Sequence, residues 1–499
     1  MGLSWLRPLA PLLLAGSLAA QDLKEFEKKV TEFTLANGLH FIVLQRPQAP
    51  VVSMVTFVNV GSANDQTGRT GLAHMFEHMA FKGTDTLGTK NWLEEKKTLA
   101  LIEQIYDRLE AERNKGPRAS KEAVAKLEAE LKAAIEKANG FVEKEAYSTL
   151  IQQNGGVGMN AGTSTDYTVY FYSLPSNRLE LWFLLTSQVF RQPVMREFYK
   201  ERDVVREERR MRIESNAQGK MVETLQMSAF LAHPQRTLIG HASDIENLRA
   251  RDAEAFFRQY YVPTNMVMVI AGDVDPKEAR RLADTYFSAM PTGPTPPRVL
   301  TREPDQEGER RAAVETPSQP LIFFGYKRPA SDHADDAALS VLSSALASGR
   351  TGVLYKELVE QKKIALAAFA SANFISQKYP GMFIFGAMPG VGKTLDENEK
   401  AILEIVERVK KEKFDDAVLS RVKNQVRAGL VRALDSNFGM AQQLAANYML
   451  FGDWRRMFNR IQEIEKVTAE DVRRAAATYL SDTHKTVVYT KAPAKEEKK

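Results

Sequence analysis

Residues 71–84, GLAHMFEHMAFKGT, carry two of the chain's seven histidines one helical turn apart. On a helix, His74 and His78 share a face, with Glu77 beside them at i+3. Two neutral imidazoles at i, i+4 suit two of the four positions around one Zn²⁺. A carboxylate beside an open position can take a proton from water that the ion has made acidic. A core-facing stripe with two chance histidines would read the same way. With so few histidines, that coincidence arises in roughly one chain in a hundred of this composition.

The chain around this stretch has 499 residues, more than one ordinary core accommodates, so two or more domains are expected. Its 68 basic and 63 acidic residues nearly balance, and no basic cluster is interleaved with aromatics, which excludes a nucleic-acid footprint. Cysteine is absent, leaving His, Asp and Glu as metal ligands and ruling out disulfides. At the N-terminus, Arg7 precedes an apolar run over 9–14, followed by small residues to Ala20. This predicts a signal peptide over 1–20, too short to span a bilayer. The expected destination is the periplasm or the exterior, with no stable membrane span after cleavage.

Outward from the histidines, the stretches 33–44 and 51–60 read as strands, with Gly38 in a turn. A charged helical hairpin is predicted over 92–138, broken at 114–117 and N-capped by Ser120; its charges read as a solvated face. A flexible GGVGMNAGT precedes the strand DYTVYFYSL at 166–174, and a charged helix follows over 196–214. Residues 291–318, opening with clustered prolines, read as a linker, and 491–499 as a charged tail.

The two sides of that linker repeat each other. Asp252, Tyr260 and Thr264 recur 219 residues later as Asp471, Tyr479 and Thr483, and VSMVTFVNVGS has a counterpart in PLIFFGYKRPA. Where the first copy has HMFEHM, the second has VLSSAL, so its ligands are gone. The expected fold is α+β: two homologous α/β-sandwich halves forming a clam-shell, 21–290 holding metal and 319–490 inactive, the hairpin being an insertion in the first.

Zinc requires a third protein ligand. In ERDVVREERRMR, Glu201 and Glu208 share a helix face and Glu207 points elsewhere. One of the pair can ligate while the other orients a histidine or the water; spacing does not choose between them.

The chain resembles the M16 family of zinc peptidases, the pitrilysin, insulinase and mitochondrial processing peptidase group, whose H-x-x-E-H order defines the inverzincins. The resemblance rests on GLAHMFEHMAFKGT, GGVGMNAGTSTDYTVYFYSL and ERDVVREERRMR in that order, and on the duplicated halves. It implies His74, His78 and Glu208 as ligands of one Zn²⁺ per chain, Glu77 as catalytic base and Glu201 as the acidic neighbour behind the ligands. It also implies that Asn160 and Ala161 receive the substrate backbone along an edge strand, a mode of binding with little sequence demand.

Two departures stand out. His78 and Glu208 are some fifty residues further apart than is usual in the family, and the hairpin accounts for the excess, placed where it can shape access to the cleft. The family's second half carries an Arg and a Tyr in a segment like L-R-E-x-x-G-L-A-Y, whereas LVEQKKIALAAF puts Val359 and Leu366 at those positions. The implied function is a secreted or periplasmic zinc endopeptidase of short or unfolded peptides. The missing pair implies a heterodimer with a related chain that supplies it, or a homodimer. A scaffold or peptide-binding subunit without turnover is the alternative, which the intact histidines and Glu77 argue against.

Overall fold

The computed structural model describes residues 23–235 and 237–493, with 430 and 431 described by their backbone alone. The expected signal peptide lies outside these residues, as does the tail from 494 onward. Among the described residues no helix is long and apolar enough to cross a membrane.

The stretch 33–44 folds as a hairpin. β1 (Val30–Thr34) and β2 (His40–Gln45) pair antiparallel, and Gly38 between them adopts φ 93°, a conformation that glycine reaches without a Cβ penalty. With β3 (Val51–Val58), β4 (Val157–Thr163), β5 (Thr168–Pro175) and β6 (Met266–Gly272) they form one sheet, ordered β1-β2-β6-β3-β5-β4. The second sheet contains β7 (Arg310–Glu315), β8 (Ile322–Arg328), β9 (Ala365–Phe374), β10 (Gly381–Pro389) and β11 (Lys485–Lys491), ordered β7-β11-β8-β10-β9.

Leaving β1 aside, the two orders superimpose strand for strand. β2 runs parallel to β6 as β7 does to β11, and the other neighbours are antiparallel in both sheets. The molecule is therefore α+β with two homologous halves of the clam-shell type. β6 is buried at every residue, as a central strand covered on both faces must be, and reads as the unbroken apolar run MVMVIAG. The linker expected over 291–318 contains β7; the parts without helix or strand are 291–309 and 316–318.

The helices that carry and support the histidines are α1 (Leu72–Met79), the hairpin pair α2 (Trp92–Arg113) and α3 (Lys121–Asn139), then α4 (Phe198–Arg209), α5 (Ala217–Ala229) and α6 (Ala250–Tyr260). The second half sets α7 (Asp336–Ala347), α8 (Asn437–Phe451) and α9 (Ala469–Tyr479) in the places of α1, α5 and α6. Asp252 and Asp471, recognised as repeats in the sequence, both sit at the third position of their helices and cap them. In α7, Val341 and Ala345 are buried at the positions that His74 and His78 hold in α1.

α5 and α8 cross between the halves. α5 lays Met221, Leu225 and Ala229 on the second sheet, against Val314, Phe323 and Ile384. α8 lays Ala441, Leu444 and Ala445 on the first, against Ile42, Val55 and Phe57. Neither half closes its own core, because each sheet would present an apolar face to water without the other's helix. A buried carboxylate joins the halves as well: Asp166 accepts from Ser376 Oγ (2.5 Å) and from the backbone N–H of Gln377 (2.7 Å) and Lys378 (3.2 Å).

The hairpin is less of an appendage than its charges suggest. Ser120 caps α3, as its position predicts, by accepting from Ala123 N. Ile102, Ile105 and Tyr106 of α2 enter the main core. Its charges, expected to face solvent, are partly sequestered. Glu95 is fully buried against Arg196, and Arg249 donates to Glu103, Asp107 and Glu110 along one side of α2. A charge that finds a partner on another element can be buried, which no local pattern reveals.

Candidate metal centre

α1 is short, and both ends of its placement are specified. Gly71 begins it at φ 92°, pressed back to back on Gly240; a Cβ on Gly240 would lie 2.7 Å from the Gly71 Cα. Buried Asp65 accepts from Gly71 N (2.7 Å) and Ala73 N (3.0 Å), meeting N–H groups that the helix leaves unpaired. Burial raises the Asp65 pKa to about 7 even though those two bonds pull it down. Leu72, Met75, Phe76 and Met79 enter the core, Phe76 against Phe257 and Tyr261. His74, Glu77 and His78 are left to face α4 and β4.

α4 supplies the acidic groups. Glu201 and Glu208, seven apart, come to the same side, whereas Glu207 points outward to Arg210. Glu208 Oε2 lies 3.6 Å from His74 Nε2 and 3.3 Å from His78 Nε2, and Arg212 holds its other oxygen at 3.0 Å. Glu201 meets the far nitrogen of the same ring, His78 Nδ1, at 3.5 Å, and is fixed by Lys82 Nζ at 2.5 Å. The helix opens into a wide π turn over Arg210–Glu214 directly after these residues. Such turns recur at functional sites.

The donor set fits a zinc ion. Ligand atoms of His74, His78 and Glu208 lie within 4.8 Å of one another, the one such His/Cys/Asp/Glu group among the described residues. Four ligands held tetrahedrally at about 2.1 Å stand roughly 3.4 Å apart, close to the two separations from Glu208. The electrostatics agree. Burial and the charge of His78 push His74 down to about 4. Burial also disfavours a charge on His78, yet Glu201 and Glu208 outweigh it and raise His78 to about 9. Two carboxylates converging on one ring make a place that attracts positive charge.

Glu77 stands next to this group. Burial raises its pKa, opposed chiefly by a hydrogen bond from Thr163 Oγ1 at 2.6 Å. The histidines, Glu77 and Glu208 open into a cavity of about 980 Å³ that Asn160, Ala161 and Thr163 also line. Those last three belong to β4, the sheet's edge strand, whose outer side pairs with nothing among the described residues. The Ala161 N–H is met by its neighbour's Asn160 Oδ1 (2.9 Å). The described residues lining the cavity all fall between 74 and 239. Neither the hairpin, expected to shape access, nor the second half contributes one.

In the second half, Val359 is partly buried on its own core and Leu366 is exposed on β9. Lys363, at the glycine position of the family's segment, has the left-handed φ of 52° that a glycine there would adopt, which supports the register giving Val359 and Leu366. Thr163, Lys82 and Asp65 escaped the sequence reading. Lys82 alone had a signal, standing one turn beyond His78.

Known proteins resemble this chain along most of its length. The family model for Insulinase (Peptidase family M16) matches residues 41–104 and 133–241, and that for the Peptidase M16 inactive domain matches 247–426. The first skips 105–132, so only the outer part of the hairpin is extra to the family. Zinc protease PqqE of Helicobacter pylori is 28% identical over 494 residues, covering 97% of each chain. A protease structure from Helicobacter pylori aligns with a TM-score of 0.78 at 27% identity, over 93% of this chain and 99% of that one. The periplasmic protease PqqL from Escherichia coli shares the fold, with a TM-score of 0.68 at 16% identity over 93% of this chain and 48% of that one.

Proposed function

This chain belongs to the M16 family of peptidases, and from that we propose that it is a zinc-dependent endopeptidase acting on short or unfolded peptides in the periplasm or outside the cell. The observation that carries the reading is the convergence of His74 Nε2, His78 Nε2 and Glu208 Oε2 beside Glu77 and an edge strand. Relatives named zinc proteases and a neighbour titled periplasmic support the metal and the address.

His74, His78 and Glu208 would hold one ion per chain. Zinc bound there would supply a Lewis acid that makes water acidic and polarises the scissile carbonyl. Glu77 takes the proton from the attacking water and delivers it to the leaving amine. A buried carboxyl with a raised pKa suits both steps. Thr163 fixes one Glu77 oxygen, and Glu201, itself held by Lys82, orients the His78 ring. The free edge of β4 at Asn160 and Ala161 takes the substrate backbone as an added strand.

The substrate's other side needs a second surface. With the cavity lined from 74–239 and no donor at Val359 or Leu366, a partner chain supplies the hold, either a related chain carrying the Arg and Tyr or a second copy of this one. Purified alone, the protein should cleave a peptide mixture slowly, stop with chelator and recover with zinc. A related partner chain should raise the rate by about tenfold or more, since productive positioning is worth orders of magnitude. Cleavage indifferent to chelator would overturn the zinc reading, and full activity of the isolated chain in monomeric form would overturn the partner.

A further inference from the structure

Residues 231–235 and 237–241 lie between two cavities. Leu238 and Ile239 line the metal cavity. His233 and Gln235, a few residues earlier, line a second cavity of about 960 Å³ between the two halves, walled on its far side by the extended stretch 295–303 and reached by Lys378 from the second half. We propose that this second cavity binds the carboxyl terminus of a short peptide, a carboxylate next to an N–H donor, and that the bound peptide steadies the loop that buttresses the metal helix. The choice of a peptide rests on the peptidase reading; the site's chemistry does not.

Two residues on the cavity lining, Gln235 and His233, hold buried polar atoms without partners. Gln235, 1% exposed, donates its Nε2 to Pro380 O (2.8 Å), and its Oε1 is buried with no partner. His233, 4% exposed, has Nδ1 buried with no partner, and its ring rests 4.9 Å from that of Tyr379. Native proteins rarely leave such atoms unpaired, and each that remains calls for an explanation. Burial holds His233 down at about 4, so its ring is neutral and can donate or accept.

The charges on the cavity wall favour an anion. Lys378 Nζ donates to Asn59 Oδ1 (2.5 Å) and has two further hydrogens to offer. Arg298 and Arg302 have no carboxylate partner among the described residues. The one carboxylate on the lining, Glu303, is already engaged by the N–H groups of residues 231–233 and by Lys327. A peptide terminus meets both demands: its carboxylate answers the cations, and its last amide N–H answers Gln235 Oε1.

The same loop reaches the metal helix. Gly240 packs on Gly71 at the first turn of α1, His241 N donates to Thr70 Oγ1 (2.8 Å), and Arg209 of α4 donates to Gly240 O (2.5 Å). Ordering the loop at residues 233 and 235 therefore acts on both helices that carry the histidines and Glu208.

The test uses the full chain carrying His74→Ala and His78→Ala, so that the metal centre cannot hold a carboxylate. Triglycine and its C-terminal amide are titrated calorimetrically, and hydrogen exchange over 231–241 is followed with and without triglycine. Triglycine should bind with a Kd below about 1 mM, and the amide about tenfold more weakly. Adding Arg298→Ala with Arg302→Ala, exposed residues whose loss leaves the fold intact, should weaken triglycine about tenfold; Gln235→Leu should act in the same direction. Exchange over 231–241 should slow when triglycine is present. Equal binding of acid and amide, or no effect of the arginine pair, overturns the proposal. Binding seen only with intact histidines and zinc places the peptide at the metal centre and sinks the cavity while leaving the peptidase reading standing. Binding by a chain that never cleaves peptides would sink that reading and leave the cavity.

Discussion

Thr163 donates its hydroxyl to Glu77, Oγ1 lying 2.6 Å from Oε2. The bond joins the edge strand that would receive substrate to the helix that carries the histidines. Thr163→Val should lower kcat about tenfold with little change in metal content, the effect of releasing one well-placed hydrogen bond, and Thr163→Ser should restore most of it. Equal kcat in the valine variant would show that Glu77 needs no such tether.

Glu77→Gln keeps the side chain's shape and its contact with Thr163 but cannot accept a proton. Peptide cleavage should fall by at least about a hundredfold while elemental analysis still finds one zinc per chain. Near-normal turnover in this variant would assign the base to another group.

Arg196 forms a two-pronged, fully buried pair with Glu95, Nε to Oε1 at 2.6 Å and Nη2 to Oε2 at 3.0 Å. The same guanidinium binds the carbonyls of Lys82, Thr84 and Leu87, fixing the turn that follows the metal helix. Arg196→Met strands a buried carboxylate and should cost about 3–5 kcal/mol in chemical denaturation. Adding Glu95→Leu should recover part of that loss. A double variant worse than the sum of both singles would contradict this account.

Glu303 gathers three backbone N–H groups and Lys327, and against the upward pull of burial they hold its pKa at about 2, below its ordinary 4.5. A depressed carboxylate contributes stability that is fully present above about 4.5 and is lost as pH falls through about 2. Glu303→Gln should therefore have a lower denaturation midpoint than wild type near neutrality, with the gap closing as the pH is taken below about 4. A gap that stays constant with pH would remove Glu303 from the acid response.

The hairpin tip lines no part of the metal cavity, and its outer bridges, Arg108 to Glu130 and Arg113 to Glu128, are exposed. Replacing 112–125 with a short Gly/Ser link spares Glu95, Glu103, Asp107, Glu110 and the buried face of α2. Zinc content and the cleavage profile should be unchanged, and stability within about 1 kcal/mol of wild type, as exposed pairs are worth little. A shifted peptide-length preference would restore the access role read from its place in the sequence.

Local geometry was legible in the chain alone. The i, i+4 histidines, the capped hairpin, the fully apolar β6 and the 219-residue repeat all follow from spacings within one element or from like elements recurring. That Glu207 stands off the shared face of Glu201 and Glu208 followed from helical period as well.

What spacing left open was which partners meet across the fold. Glu208 rather than Glu201 faces both Nε2 atoms, because α4 crosses α1 with its later turns over the histidines and its first turn over Lys82. Glu95 is buried because Arg196, 101 positions away, reaches it. α5 and α8 exchange sheets, each laying its buried residues on the strands of the other half. Periodicity records which face of an element is apolar and where its chemistry points. Which surface that face finds depends on closing loops of a hundred residues or more, a matter of topology and mutual packing that no local pattern encodes.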